Sequence, residues 1–210
     1  MDENKDLIVL VLDKSGSMFD TWSDATGAVK QFLKDQVGLE GRTTDIRFGT
    51  FDTYVRLPEL YIDATSKTVD SIKFPKPGGG TALLDAIGKH IYETGVALAA
   101  TPVDKRPSNV YFVVMTDGEE NSSREYSKGT IGRMIKEQET VYNWKFVFLG
   151  ADQDAIAVAK DIGFNPHAAA SFSSQKYGQT LNVTTNVISR SRLAGGQSVS
   201  YTDEERSAIV

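Results

Sequence analysis

Asp13-Lys14-Ser15-Gly16-Ser17 places three oxygen-bearing side chains at alternate positions directly after the apolar run Leu7 to Leu12. A second carboxylate, Asp117, follows another apolar run, Val110 to Met115, in the segment Thr116-Asp117-Gly118. Thr81 stands behind Gly78-Gly79-Gly80, a loop whose glycines leave the hydroxyl a flexible approach. Two carboxylates with several hydroxyls make a hard-oxygen donor set of the kind that takes Mg²⁺, Mn²⁺ or Ca²⁺. So few protein charges favour Mg²⁺ or Mn²⁺ over Ca²⁺, because Mg²⁺ keeps several of its waters. The chain has no cysteine and only His90 and His167, which excludes thiolate zinc sites, iron–sulfur clusters, disulfide scaffolds and cysteine nucleophiles.

For these groups to meet, the elements that carry them must be neighbours. Continuous apolar runs bounded by turn signals mark strands buried on both faces, and Leu7 to Leu12, Ile46 to Phe51, Val110 to Met115 and Trp144 to Leu149 fit. Segments with helical spacing lie between and after them: Ala25 to Val37, Leu83 to Leu98, Ile131 to Ile135 and Ala155 to Ile162. Tyr54 to Asp63 carries Pro58, which suits an edge strand, so this segment is expected to pair antiparallel with the second strand. Ala168 to Phe172 is a last short strand, and a final helix over about 175–193 ends before Gly195 and Gly196. Alternating strands and helices predict an α/β fold: a doubly wound, mostly parallel six-stranded sheet with one antiparallel edge strand and helices on both faces. In such sheets ligands bind beyond the carboxyl ends of the strands, where Asp13 and Asp117 are expected side by side.

The 210 residues suit one domain, expected over 1–196, with 197–210 a polar and flexible C-terminal tail. With 23 basic and 28 acidic residues the net charge is −5, so the generic cationic attraction to nucleic acid or anionic lipid is missing. Met1 to Asp6 lacks the basic start of a secretory signal, and no run approaches the roughly 18 apolar residues that span a bilayer. A cytoplasmic protein with no membrane or nucleic-acid partner is the expectation.

Asp13-Lys14-Ser15-Gly16-Ser17 closing a strand, Thr81 after a glycine loop, and Thr116-Asp117-Gly118 closing another strand resemble the von Willebrand factor A-type domain with its metal-ion-dependent adhesion site. The resemblance extends over about Leu7 to Leu193, and the wording around Asp13 and Asp117 is most similar to bacterial or phage-encoded intracellular members. It implies a Rossmann-like sheet in which Ser15, Ser17 and Thr81 ligate the metal, Thr81 directly in one state and through water in another. Asp13 and Asp117 would act mostly through bound waters, and a partner's Asp or Glu carboxylate would complete the coordination. The implied function is non-enzymatic, metal-dependent protein binding.

Each residue has a plainer reading. Ser15 and Ser17 could cap a following helix and Asp117 could belong to an ordinary turn, but three such loops would then have to coincide. His90 is expected in packing or at the surface, His167 in an exposed loop, and Glu119 and Glu120 on a solvated acidic rim. The glycine loop lacks the Gly-Lys-Ser/Thr ending of a phosphate loop. An alternative function is a Mg²⁺-dependent phosphohydrolase with Asp13 as nucleophile, which normally needs a second carboxylate two residues on as general acid; Ser15 occupies that place. The other alternative is a structural subunit of a larger assembly.

Overall fold

The computed structural model describes residues 1–210. Strands β1 (Asp2–Asp13), β2 (Thr43–Phe51), β3 (Val55–Tyr61), β4 (Pro107–Thr116), β5 (Lys145–Ala151) and β6 (Ala169–Phe172) form one sheet in the order β3-β2-β1-β4-β5-β6. All neighbours are parallel except β3, which runs antiparallel to β2 at the edge. The ladder between them slips between Phe48 and Thr50, opposite Leu57 and Pro58, where a residue without an N–H does least harm.

Along β1, Ile8, Leu10 and Leu12 face one hydrophobic cluster while Leu7, Val9 and Val11 face the other. This two-sided burial is why the run is apolar throughout instead of alternating. Helices α1 (Trp22–Val37), α2 (Ser66–Ser71) and α6 (Tyr177–Leu193) cover the first face through Val29, Phe32, Val69, Leu181 and Ile188. Helices α3 (Leu83–Ala100), α4 (Lys128–Tyr142) and α5 (Ala155–Ile162) cover the second through Ile87, Ile91, Ile131, Ile135 and Ala159. None of the helices is long and apolar enough to cross a membrane. His90 is fully buried in α3, its Nδ1 2.8 Å from the Ala86 carbonyl, and a Cβ at Gly49 would lie 1.9 Å from its Nε2. Only glycine in β2 admits the imidazole. His167 stands exposed in a single 3-10 turn, as expected.

The segment from 197 onward is not a tail apart from the domain. Val199 and Tyr201 are buried in the core, and α7 (Asp203–Ile209) brings Ile209 to full burial. Thr202 and Glu205 form a reciprocal capping box at the start of α7, and Arg206 reaches back to the carbonyls of Pro166 and His167. The few apolar residues of this polar stretch are spaced to meet the sheet, a relation invisible to average composition. Helix α2 had no counterpart in the sequence reading; six residues with one buried side chain, Val69, carry too little periodicity to register.

Candidate metal centre

β1 lies between β2 and β4, so chain connections diverge on either side of the β1/β4 boundary, the crevice where open α/β sheets bind ligands. Leu12 pairs with Met115, which sets Asp13 beside Thr116 at the carboxyl edge. Asp13 is fully buried; its Oδ1 accepts from the Ser15 amide at 2.7 Å and its Oδ2 from the Thr116 hydroxyl at 2.5 Å. Ser15 Oγ lies 3.0 Å from Ser17 Oγ, and Ser17 Oγ donates to Asp117 Oδ1 at 2.7 Å. Four of the five residues singled out by the sequence are thus joined in one chain of contacts.

Thr81 arrives from the glycine loop, which is zipped to the first loop by two backbone bonds, Gly16 N–H to the Gly79 carbonyl and Gly78 N–H to the Lys14 carbonyl. A Cβ placed on Gly118 would stand 2.8 Å from Thr81 Oγ1, 3.5 Å from Ser15 Oγ and 3.6 Å from Asp13 Oδ2. Three oxygens from two loops therefore surround a glycine of a third. A side chain at 118 would fill the space between them.

The charges of the site favour a cation. Burial pushes the Asp13 carboxyl up to about 6, against the lowering effect of its Thr116 and Ser15 donors, and the nearby Asp117 charge adds to the rise. Burial also raises Asp117, with Asp152 adding repulsion. The hydrogen-bond donors to both carboxylates are neutral hydroxyls and an amide, while the neighbouring Lys14 is engaged by Asp52. Two carboxylates held close without a basic partner, flanked by three hydroxyls, fit a hard divalent ion. No group of three or more His, Cys, Asp or Glu side chains able to hold a metal forms anywhere in the chain. An ion here would depend on the hydroxyls as much as on the carboxylates.

Several supporting residues escaped the sequence reading. Asn121 Oδ1 accepts from the Thr81 amide at 2.9 Å, and the Thr81 carbonyl accepts from the Asn121 and Ser122 amides, so the segment after β4 clamps Thr81 on both sides. Thr53 Oγ1 accepts from the Gly80 amide at 2.7 Å. Glu120 is not a solvated rim residue: it accepts from the Leu84 amide at the start of α3 and from the Ser122 and Ser123 amides. Asp85, buried in α3, accepts from the amides of Arg124, Glu125 and Tyr126, each at 2.9 Å. The bonds to the amides of Thr81 and Leu84 and those to Asp85 join residues 36 to 41 positions apart in the chain, and no local motif announces them. Thr116 was the one legible candidate, a hydroxyl beside Asp117 at a strand end.

No protein-family model matches the chain, and no curated protein matches it in sequence. Solved structures do match. Proximal thread matrix protein 1 of the mussel byssus, in a structure with a zinc-occupied adhesion-site motif, is 17% identical over 88% of this chain and 48% of its own, with a TM-score of 0.64. A von Willebrand factor type A protein from Catenulispora acidiphila is 16% identical over 88% of this chain and 42% of its own (TM-score 0.58). The ArnB paralog VWA2 from Sulfolobus acidocaldarius is 17% identical over 84% and 44% (TM-score 0.54). The chain spans less than half the length of each of these proteins. At these identities the likeness establishes the fold: the chain has the von Willebrand factor A fold, with its six-stranded sheet and antiparallel edge strand.

Proposed function

We propose that this chain is a non-enzymatic, metal-dependent protein-binding module, in which Ser15, Ser17 and Thr81 hold one Mg²⁺ or Mn²⁺ with Asp13 and Asp117 in support. The observation that carries the reading is the meeting of Thr81, Ser15 and Asp13 oxygens around Gly118, with Ser17 bridging to Asp117. A bound ion would offer a coordination position to an Asp or Glu carboxylate of a partner protein, a charge-assisted contact stronger than a neutral hydrogen bond. This chain's own residues set the terms. Hydroxyl ligands would leave the charge of such an ion largely unspent, and Asp13 and Asp117 would hold it by their charge. The zinc-occupied motif of the byssus protein supports a divalent ion at this place in the fold. The hard donor set argues for Mg²⁺ or Mn²⁺ in this chain.

The phosphohydrolase alternative has less support, because Asp13 is fully buried with both oxygens engaged and Ser15 replaces the acid that would protonate a leaving group. A cytoplasmic setting without nucleic-acid or membrane partners completes the proposal, in keeping with the net charge of −5.

The test has two arms. Calorimetry should detect one saturable site for Mg²⁺ or Mn²⁺, with a Tm rise reversed by EDTA; a hundredfold excess over Kd stabilises by about 2.7 kcal/mol. Proteins captured from the native host should depend on Mg²⁺ and vanish both in EDTA and with Asp13→Ala. Equal capture under all three conditions would move the interaction surface elsewhere and leave the assembly-subunit reading in its place.

A further inference from the structure

At the amino ends of the same strands, opposite the metal centre, lies a buried cluster with an excess of positive charge. Asp6 of β1 pairs in register with Asn109 of β4, and Tyr111 of β4 with Lys145 of β5. Asp6 is fully buried and saturated: Arg42 donates to both of its oxygens at 2.7 and 2.8 Å, Asn109 Nδ2 donates to Oδ1 at 2.9 Å, and Arg192 Nε lies 2.8 Å from Oδ2. One carboxylate thus faces three cations, Arg42, Arg192 and Lys145. It is also the one carboxylate that acts on both Arg192 and Lys145; Asp2 acts on Arg42 alone, from the rim.

Two of the cations are short of acceptors. The Arg192 side chain is 4% exposed, and neither Nη1 nor Nη2 has a hydrogen-bond partner. Lys145 is 3% exposed, and its Nζ has only Asn109 Oδ1, at 3.3 Å. Both sit against the ring of Tyr111, the guanidinium at 5.2 Å and the ammonium at 5.9 Å from its centroid. A ring face attracts cations but cannot discharge them. Burial lowers Lys145 to about 8 and lowers Arg192 as well, the response of cations short of negative charge.

Beside this cluster is a cleft of about 240 Å³ bounded by five polar residues, Lys145, Asn143, Asn165, Ser198 and Glu139, and by four apolar ones. At about 30 Å³ per water it has room for several waters, or for one tetrahedral oxyanion with its first shell. Glu139 is the one carboxylate on its wall, and burial disfavours the charged form of that carboxylate. Backbone packs on the cluster itself: Gly196, at φ 76°, passes so close that a Cβ there would lie 2.1 Å from Asn109 Oδ1 and 3.2 Å from Lys145 Nζ.

We propose that this cleft binds one oxyanion of the phosphate class, held by Lys145 with Asn143, Asn165 and Ser198 offering neutral donors, while the buried guanidinium of Arg192, which stands behind the cleft wall, adds unbalanced positive charge. The proposal is independent of the metal centre, which lies at the other edge of the sheet.

The test is titration of the full chain with inorganic phosphate, with sulfate and with O-phosphoserine, each at fixed ionic strength against chloride, read by calorimetry and by the side-chain NMR signal of Lys145. Saturable binding of phosphate at one site is expected, weakened at least tenfold in Lys145→Met and by less in Arg192→Gln, which removes only a charge behind the cleft wall, with the Lys145 amine titrating at higher pH when phosphate is bound. Phosphoserine binding more tightly than phosphate would assign the group to a modified residue of a partner; equal or weaker binding would assign it to the free ion. If Arg192→Gln does not fold, Lys145→Met and the wild-type NMR titration still decide. No saturable binding, or binding unchanged by Lys145→Met with the Lys145 signal unmoved, would overturn the proposal. A Tm rise in phosphate that is the same in Lys145→Met would reflect only the general stabilisation by excluded salts.

Discussion

Asp13 concentrates the tension of the candidate metal centre, because a carboxylate raised to about 6 by burial costs stability whenever it is ionised. Its unfolded value is near 3.8, so the metal-free protein gains stability from Asp13 as pH falls from about 6 towards 4, where only the folded state binds the proton. His90 pulls the other way. Burial lowers it to about 4, so as pH falls below about 6.5 the unfolded chain takes up a proton that the folded state refuses, and about 3 kcal/mol is lost by pH 4. A bound ion keeps Asp13 ionised and removes its compensating gain. The stabilisation by Mg²⁺, measured as the Tm difference between Mg²⁺ and EDTA, should therefore fade as pH falls through about 6; a difference constant from pH 8 to 5 would contradict this account of Asp13. Asp13→Asn should raise the Tm in EDTA at pH 7, by the equivalent of about 1 kcal/mol, because it removes a buried charge while keeping a polar group near Thr116 and Ser15. It should also abolish the Mg²⁺-dependent rise. A lower Tm in EDTA would mean that its two hydrogen bonds outweigh the buried charge.

Strands bring the carboxylates to one edge, but the delivery of Thr81 depends on the start of α3 and on the segment between β4 and α4. Asp85 and Glu120 tie these together through six backbone amides, all buried or half-buried. Asp85→Ala leaves three of those amides without their acceptor, and at about 1 kcal/mol or more for each bond to a charged group the loss should reach about 3 kcal/mol. The segment after β4 should then loosen, and metal affinity should fall although Asp85 touches none of the five candidate ligands. Hydrogen exchange across 118–127 together with calorimetric Mg²⁺ titration would check this; full protection with unchanged affinity would mean that Thr81 is held by its own loop. Gly118→Ala, by contrast, should leave the fold intact and weaken metal binding at least tenfold, because its methyl would enter the space that the three oxygens share. Equal Mg²⁺ affinity in Gly118→Ala and wild type would show that the ion sits elsewhere.

At the scale of the whole molecule, the C-terminal segment is part of the core, and the domain cannot be cut at 196 without loss. Val199, Tyr201 and Ile209 are each buried, and removing them exposes their pockets as well as their own surface. At about 1.5–3 kcal/mol for each buried side chain the loss is about 5 kcal/mol, a large part of the 5–15 kcal/mol that holds a typical domain together. A chain ending at Gly196 should melt far below the full chain or fail to fold. Matching melting curves for the two would show that α7 is dispensable. The same cut removes Ser198 from the cleft beside Lys145.

The sheet was legible because burial on both faces writes itself into consecutive residues: Leu7 to Leu12 and Val110 to Met115 can hardly be anything but central strands. The edge position of β3 was legible from Pro58 and from its place close behind β2. The metal-site candidates were legible for a different reason, since an ion needs particular oxygen donors and Asp13, Ser15 and Ser17 lie within one loop. What closed the site was not local. The clamp of Asn121 on Thr81, the capping of α3 by Glu120 and the bonds from Asp85 join residues about 40 positions apart, and any Glu or Asp in a polar loop reads alike until the chain is folded. The same holds for α7 and for the cations around Asp6: a polar C-terminus and scattered Arg and Lys read as a solvated surface, because composition records polarity but not which few side chains the sheet brings inside. Sequence by itself determined the order of the six strands and of α1, α3, α4, α5 and α6, and the donors at the strand ends; the tertiary structure decided which charges lost their water, since burial depends on neighbours that only the completed sheet supplies.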